Sequence, residues 1–158
     1  MVKIRRACEK DIPAVFRLLE QVLAIHAEIR PDIFIPDTAK YTREELIVKF
    51  GNDQTPVFVA CDEQDEVKGY VFCALQKPAH TGNMCDILTL YIDDLCVDEN
   101  ARGMHVGTAL FSFVKDYARE LGCHNITLNV WEGNDSARRF YDAMGFGIQK
   151  TLMEMIIE

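Results

Sequence analysis

The stretch from Val97 to Leu121, VDENARGMHVGTALFSFVKDYAREL, constrains this chain more than any other. A short polar loop holding Arg102, Gly103 and Gly107 runs straight into an amphipathic helix. Along that helix Val106, Leu110, Phe113, Tyr117 and Leu121 recur on one face of a 3.6-residue repeat. Ahead of the loop, Ile92, Leu95 and Val97 read as a buried strand. Strand, glycine-bearing loop and helix start together aim several backbone N–H groups at one point. That point lies at the positive end of the helix dipole, which makes it an anion site.

An ordinary strand-to-helix connection with a glycine turn has the same outline, but two details argue for more. Arg102 and Gly103 precede the helix, whereas turn glycines fall after one. Gly107, just inside the helix, costs roughly 1 kcal/mol against alanine, which predicts a close approach to the backbone there. Two nucleotide fingerprints are excluded. No Lys-Ser/Thr follows the loop as in a P-loop, and no G-x-G-x-x-G follows a strand.

The length of 158 residues fits one domain with a single core, 1–158. A hydrophobic fraction of 49% and a charged fraction of 27% are those of a soluble globular protein. The formal net charge of −8 repels nucleic acid and anionic membranes and favours cationic small molecules or basic peptides. Neither a nucleic acid nor a membrane partner is expected. The six cysteines, Cys8, Cys61, Cys73, Cys85, Cys96 and Cys123, have no CxxC pairing and no histidines at zinc spacing, so no metal is expected. No signal peptide precedes Ile4 and no apolar run approaches the ~20 residues of a membrane span. A cytoplasmic protein with reduced thiols is the expectation.

From the start, VKIR alternates as a short strand. Ile12, Val15, Leu19, Val22, Leu23 and His26 mark one helix face, with Asp11 and Pro13 suiting the helix start. Two prolines punctuate Glu28 to Asp37, which carries Phe34 and Ile35 between charges. Thr42 with Glu45 forms a capping box for a helix to Phe50. Val57–Cys61 and Val67–Leu75 flank the polar turn Asp62–Glu66 and read as a hairpin. Gly69 inside the second strand predicts a bulge or a close approach. Residues 85–97 read as a longer strand and Asn125–Val130 as another, with Gly122 stopping the helix between them. Asn134 caps a short helix bearing Ala137, Phe140, Tyr141 and Met144, which Gly145 ends. Residues 148–157 read as a final strand or hairpin arm. The expected architecture is a mixed α/β domain, a twisted mixed sheet of six to seven strands flanked by four helices.

The loop resembles the acyl-CoA pyrophosphate loop of the GNAT superfamily of N-acetyltransferases. Their pattern is Arg or Gln, two residues, Gly, one residue, then Gly or Ala. Here it reads Arg102-Gly103-Met104-His105-Val106-Gly107, followed by Thr108, with His105 standing where the first glycine of the pair belongs. The element order also matches that fold. A second similarity is Asn134-Asp-Ser-Ala137-Arg-Arg-Phe140-Tyr141-Asp-Ala-Met-Gly145-Phe146, against the family's Asn-x-x-Ala-x-x-Phe/Leu-Tyr-x-x-x-Gly-Phe.

The resemblance implies an enzyme that uses acetyl-CoA to acetylate a primary amine by direct transfer. It implies CoA binding by Arg102, Gly103, His105, Val106, Gly107 and Thr108. The backbone of Leu95 and Val97 would pair with the pantetheine arm like an added strand, with Asn134 contacting that arm. Tyr141 would protonate the departing thiolate. Spermidine/spermine acetyltransferases place a Glu-Asp pair where this chain has Asp93-Asp94. By the two-residue strand period Asp93 shares a face with Leu95 and Val97, which makes it the expected base or acceptor anchor. Asn129 stands where some ribosomal-protein N-terminal acetyltransferases carry a glutamate, which argues against a peptide N-terminus as acceptor. Cys96 is expected to be inert packing. Small-molecule, polyamine and peptide or lysine amines all remain open as acceptors, and a homodimer is the assembly common in the family. The alternatives are a catalytically silent acyl-CoA-binding or regulatory domain, motivated by His105, and an interaction module around Phe34 and Ile35.

Overall fold

Four strands, β1 (Lys3–Arg6), β2 (Val57–Cys61), β3 (Val67–Gln76) and β4 (Thr89–Val97), each lie antiparallel to the next; two helices separate β1 from β2, and polar connections join β2 to β3 and β3 to β4. A computed structural model describes residues 1–158. In it a fifth strand, β5 (Asn125–Leu128), reaches β4 by a crossover and pairs with it in parallel, giving the order β1-β2-β3-β4-β5. The crossover is α3 (Val106–Glu120), as a parallel connection requires. The remaining helices are α1 (Ile12–Ile29), α2 (Arg43–Phe50) and α4 (Asp135–Ala143). None is long and apolar enough to cross a membrane.

Alternation along the central strands feeds two cores. Val57, Val59, Tyr70, Phe72 and Cys96 face one way and pack with Val15, Leu18 and Leu46 of α1 and α2. Phe58, Ala60, Val71, Cys73, Leu90 and Ile92 face the other way and pack with Val106, Leu110 and Val114 of α3. Because both faces are covered, β2 reads as an unbroken apolar run, and all five of its residues are buried. Thr42 and Glu45 form the expected capping box of α2. Gly69 fulfils both expectations at once. The register slips beside it, and a Cβ there would lie 2.9 Å from the Cys96 carbonyl oxygen.

Three expectations are corrected. The sheet has five strands, not six to seven. Residues 148–157 were the expected extra strand, but they form neither helix nor strand. Their Ile148, Leu152, Met153, Met155, Ile156 and Ile157 are exposed, Leu152 by 98%. A strand needs a neighbour to take its backbone bonds, and within one chain this segment has none; its one side-chain anchor is the ion pair between Arg30 and Glu154. Finally, the buried line of α3 runs through Val106, Leu110, Val114 and Ala118. Phe113 and Tyr117 cover its flank against Phe58, and Leu121 is exposed.

Candidate active site

The parallel pairing of β4 with β5 is short, from Thr89 opposite Asn125 to Ile92 opposite Leu128. Beyond Ile92 the two strands part, so the β4 edge from Asp93 to Val97 has no strand on that side. Leu95 and Val97, expected to offer backbone to an extended ligand, lie on this free edge. At the fork β4 carries a bulge. Phe72 sits opposite Asp94 and Cys73 opposite Ile92, which leaves Asp93 as the extra residue.

That bulge corrects the expected facing of the acidic pair. Simple alternation puts Asp93 with Leu95 and Val97, and Asp94 on the other face. Instead both carboxylates meet side chains on the α1–α2 side. Asp93 Oδ2 accepts from Lys40 Nζ at 2.9 Å and from Tyr41 Oη at 3.4 Å. Asp94 Oδ2 accepts from Tyr70 Oη at 2.6 Å. The rings of Tyr41 and Tyr70 both pack on Phe72, with centroids 5.7 and 4.9 Å away.

The electrostatics separate the two carboxylates. Burial pushes Asp94 up to about 6, against the pull of Tyr70 and Lys40, with the charge of Asp93 adding to the rise. Asp93 is on the surface side of the pair and exposed. For Lys40, burial works against the charge, but the bond to Asp93 together with the charges of Asp93, Tyr41 and Asp94 offsets it and holds the ammonium above its usual value. Burial raises the Tyr141 phenol, and Asp94 acts in the same direction, so this hydroxyl keeps its proton at neutral pH. Tyr141 is buried on α4, edge-on to Phe140 and Phe146 at 5.1 and 5.5 Å. Cys96 packs in the core, as expected, and burial pushes its thiol up to about 12.

At the other end of the free edge lies the loop into α3. Asp98 is buried, pairs with Arg17 of α1, and accepts from the Asn100 N–H, which fixes where the loop begins. Arg102, Gly103, His105 and Thr108 are exposed. The N–H groups of Gly103, His105, Val106, Gly107 and Thr108 meet no acceptor in the chain. His105 has φ 59, in the left-handed region. This explains why a glycine suits the position, and histidine is among the side chains that tolerate it. The close approach expected at Gly107 is present. A Cβ there would lie 3.3 Å from the Phe140 ring and 3.4 Å from Val97, so the close approach is that of α4. Asn134 caps α4, its side chain accepting from the Ala137 N–H at 3.3 Å.

The residues missed in the sequence are Lys40, Tyr41, Tyr70 and Trp131, all remote in the chain from the acidic pair. Trp131 follows β5 and stands edge-on to Phe34 at 5.3 Å, with His26 5.1 Å from Phe34 and the Arg30 guanidinium 5.9 Å from the indole. Phe34 is therefore half-covered by an aromatic wall, while Ile35 beside it is exposed. Asn129 donates to Tyr91 Oη at 3.1 Å.

Comparison with known proteins agrees with this geometry. Residues 19–146 match the model of the acetyltransferase (GNAT) family. The chain is 27% identical over 153 residues to an uncharacterized N-acetyltransferase of Lactobacillus delbrueckii subsp. lactis, covering 91% of this chain and 83% of that protein. It is 30% identical over 112 residues to the peptidyl-lysine N-acetyltransferase YjaB of Escherichia coli, covering 70% of this chain and 63% of that protein. Among solved structures, a point mutant of the BH1408 protein of Bacillus halodurans superposes with a TM-score of 0.94 at 31% identity, covering 99% of both chains. An aminoglycoside acetyltransferase from a soil metagenome shares the fold, with a TM-score of 0.75 at 20% identity over 99% of this chain and 95% of that one. The chain belongs to the acetyltransferase (GNAT) family and is an N-acetyltransferase.

Proposed function

We propose that the protein moves an acetyl group from acetyl-CoA directly to a primary amine that arrives as a cation. One observation carries the reading: the free edge of β4 runs from a carboxylate pair at the β4–β5 fork to a loop of unpartnered N–H groups at the start of α3. The loop suits a pyrophosphate, since Arg102 and the backbone of Gly103, His105, Val106, Gly107 and Thr108 are open to solvent or unpaired there. The β4 backbone at Leu95 and Val97 suits the amides of a pantetheine arm, with Asn134 at its side. His105 is exposed and left-handed, which suits an open loop and supports an enzyme over a silent domain.

Acetyl-CoA, when bound, supplies a thioester carbonyl to be attacked and a thiolate to leave. The chain supplies the rest. Asp93, exposed at the fork, anchors the incoming ammonium in the place that Lys40 Nζ takes in the free protein. Asp94, raised to about 6 by burial, suits the role of base. Tyr141 holds its proton until the sulfur leaves. The apolar surroundings that raise the phenol also penalise a thiolate, so the donor stays matched to its acceptor.

The formal net charge of −8 supports a cationic acceptor. Lysine side chains and aminoglycosides are the amines named for two relatives, and a peptide lysine or a small polyamine fits the carboxylate pair equally. We read the protein as a cytoplasmic homodimer, with the exposed apolar residues between Ile148 and Ile157 covered by a second copy. The test is thermal stability with and without acetyl-CoA, followed by turnover across an amine panel. Acetyl-CoA at 100 times its dissociation constant adds about 2.7 kcal/mol, and no shift at any concentration overturns the reading.

A further inference from the structure

The segment joining α1 to α2 delivers a lysine of the chain itself to the acceptor position. Lys40 Nζ lies 2.9 Å from Asp93 Oδ2, at the fork where the sheet opens and the thioester is to be presented. Asp94 stands next along β4, and its charge reaches the same ammonium. The adjacent residue anchors the arm: Tyr41 stacks on Phe72, with rings 5° from parallel, and its hydroxyl reaches Asp93. Lys40 Nζ also lies 5.3 Å from the Tyr41 ring centroid, within cation–π range. The side chain of Lys40 is half-exposed, so its nitrogen stays accessible from the open side of the fork.

Ion pairs of surface lysines elsewhere lack this setting. Lys77 pairs with Asp86 at 3.0 Å, both well exposed, in the loop region before β4. No second carboxylate with a raised proton affinity is at hand there. Only Lys40 combines an amine, an anchoring carboxylate and a neighbouring base at the end of the free β4 edge.

The geometry points to Lys40 as a self-acetylation site, an internal stand-in for a peptide-lysine acceptor. This rests on the acetyl-CoA reading above and deepens it, because it makes the side chain of a lysine in an extended segment the amine class that the site takes. The transfer balances. The Lys40 nitrogen bonds to the acetyl carbonyl carbon as the carbon–sulfur bond breaks. Of the ammonium protons, one passes to the Asp94 carboxylate and on to solvent, one ends on the departing sulfur by way of Tyr141, and one stays on the amide. The neutral product no longer pairs with Asp93, so the modification also clears the acceptor position for an external amine.

The experiment is incubation of purified, unacetylated protein with acetyl-CoA, followed by intact mass and peptide mapping. Thermal shift and turnover of an external amine panel are measured on the same sample. The expected result is one acetyl group at Lys40, at a rate independent of protein concentration, slowed by a saturating external amine. Lys40→Arg abolishes it, and Asp94→Asn slows it at least tenfold with the same acetyl-CoA thermal shift. Acetyl groups spread equally over Lys40 and Lys77, or a rate at Lys40 untouched by Asp94→Asn, mean plain chemical acetylation and overturn the proposal. A rate rising with protein concentration overturns it too, since the transfer is then between molecules. Acetyl-CoA binding and external turnover with no label at Lys40 sink this proposal alone. Absence of any acetyl-CoA thermal shift sinks both it and the reading beneath it.

Discussion

Tyr70 donates its hydroxyl to Asp94, Oη to Oδ2 at 2.6 Å, two residues past the last pair that joins β4 to β5. The bond holds a carboxylate that burial would otherwise drive further toward its neutral form. It fixes the oxygen that faces Tyr70, and in the mechanism proposed above the second oxygen takes a proton from the amine.

Replacing Asp94 with asparagine is expected to lower turnover by about 10² to 10⁴, the span of a positioned acid or base. The wild-type rate should fall on the acid side near pH 6, and this limb should disappear in the variant. A pH–rate profile with the same limb in both proteins removes Asp94 from the chemistry.

The same substitution has a stability counterpart of opposite sign. The folded value of Asp94, about 6, lies above that of a free carboxylate, 3.8. The folded state therefore binds this proton more tightly, and the stability it contributes is full below about pH 4 and lost as pH rises through about 6. Asp94→Asn should be more stable than wild type at pH 7 by about 1 to 3 kcal/mol. The gap should close toward pH 4, which denaturant melts at the two pH values will read.

Tyr141→Phe is expected to cut kcat by roughly 10² or more while leaving the acetyl-CoA thermal shift in place. The ring and its packing on Phe140 and Phe146 survive the change. A kcat within twofold of wild type takes the phenol out of the mechanism.

His105→Gly relieves a left-handed residue at φ 59. The expected gain is on the order of 1 kcal/mol in stability, with acetyl-CoA binding equal or tighter. Weaker binding, read by titration, assigns the imidazole itself a contact with the ligand.

Two further outcomes follow from packing. Gly69→Ala should cost about 1 to 3 kcal/mol, since its Cβ meets the Cys96 carbonyl at 2.9 Å in the middle of the sheet. Ending the chain after Gly147 should turn a dimer into a monomer in sedimentation. Full-length protein that already sediments as a monomer disproves the homodimer.

What was legible in the sequence was local. The Arg102–Thr108 loop, the cap at Thr42 and the stop at Gly122 depend on residues a few positions apart, and period and capping rules reach that far. The facing of Asp93 was not legible, because one extra residue at the bulge breaks the two-residue period, and the sequence does not mark where. Lys40 and Tyr41 were not legible either: they reach the fork through a prolyl connection whose path only the packing of Tyr41 on Phe72 decides. The close approach at Gly107 was legible, but not that the Phe140 ring makes it, because α4 lies more than twenty residues further along the chain. The segment 148–157 has apolar residues enough for a strand but no strand to lie beside.

The β2–β3–β4 meander joins near neighbours in the chain, whereas β1 reaches β2 across α1 and α2 and β5 reaches β4 only through α3, by four residue pairs. Contacts between distant segments close late in folding, when a long loop has to be paid for. The fork thus lies on the seam between an early meander and a late crossover half. A ligand lying along β4 and capping α3, as proposed above, ties that seam, so its strongest protection against amide hydrogen exchange should fall on β5 and α4.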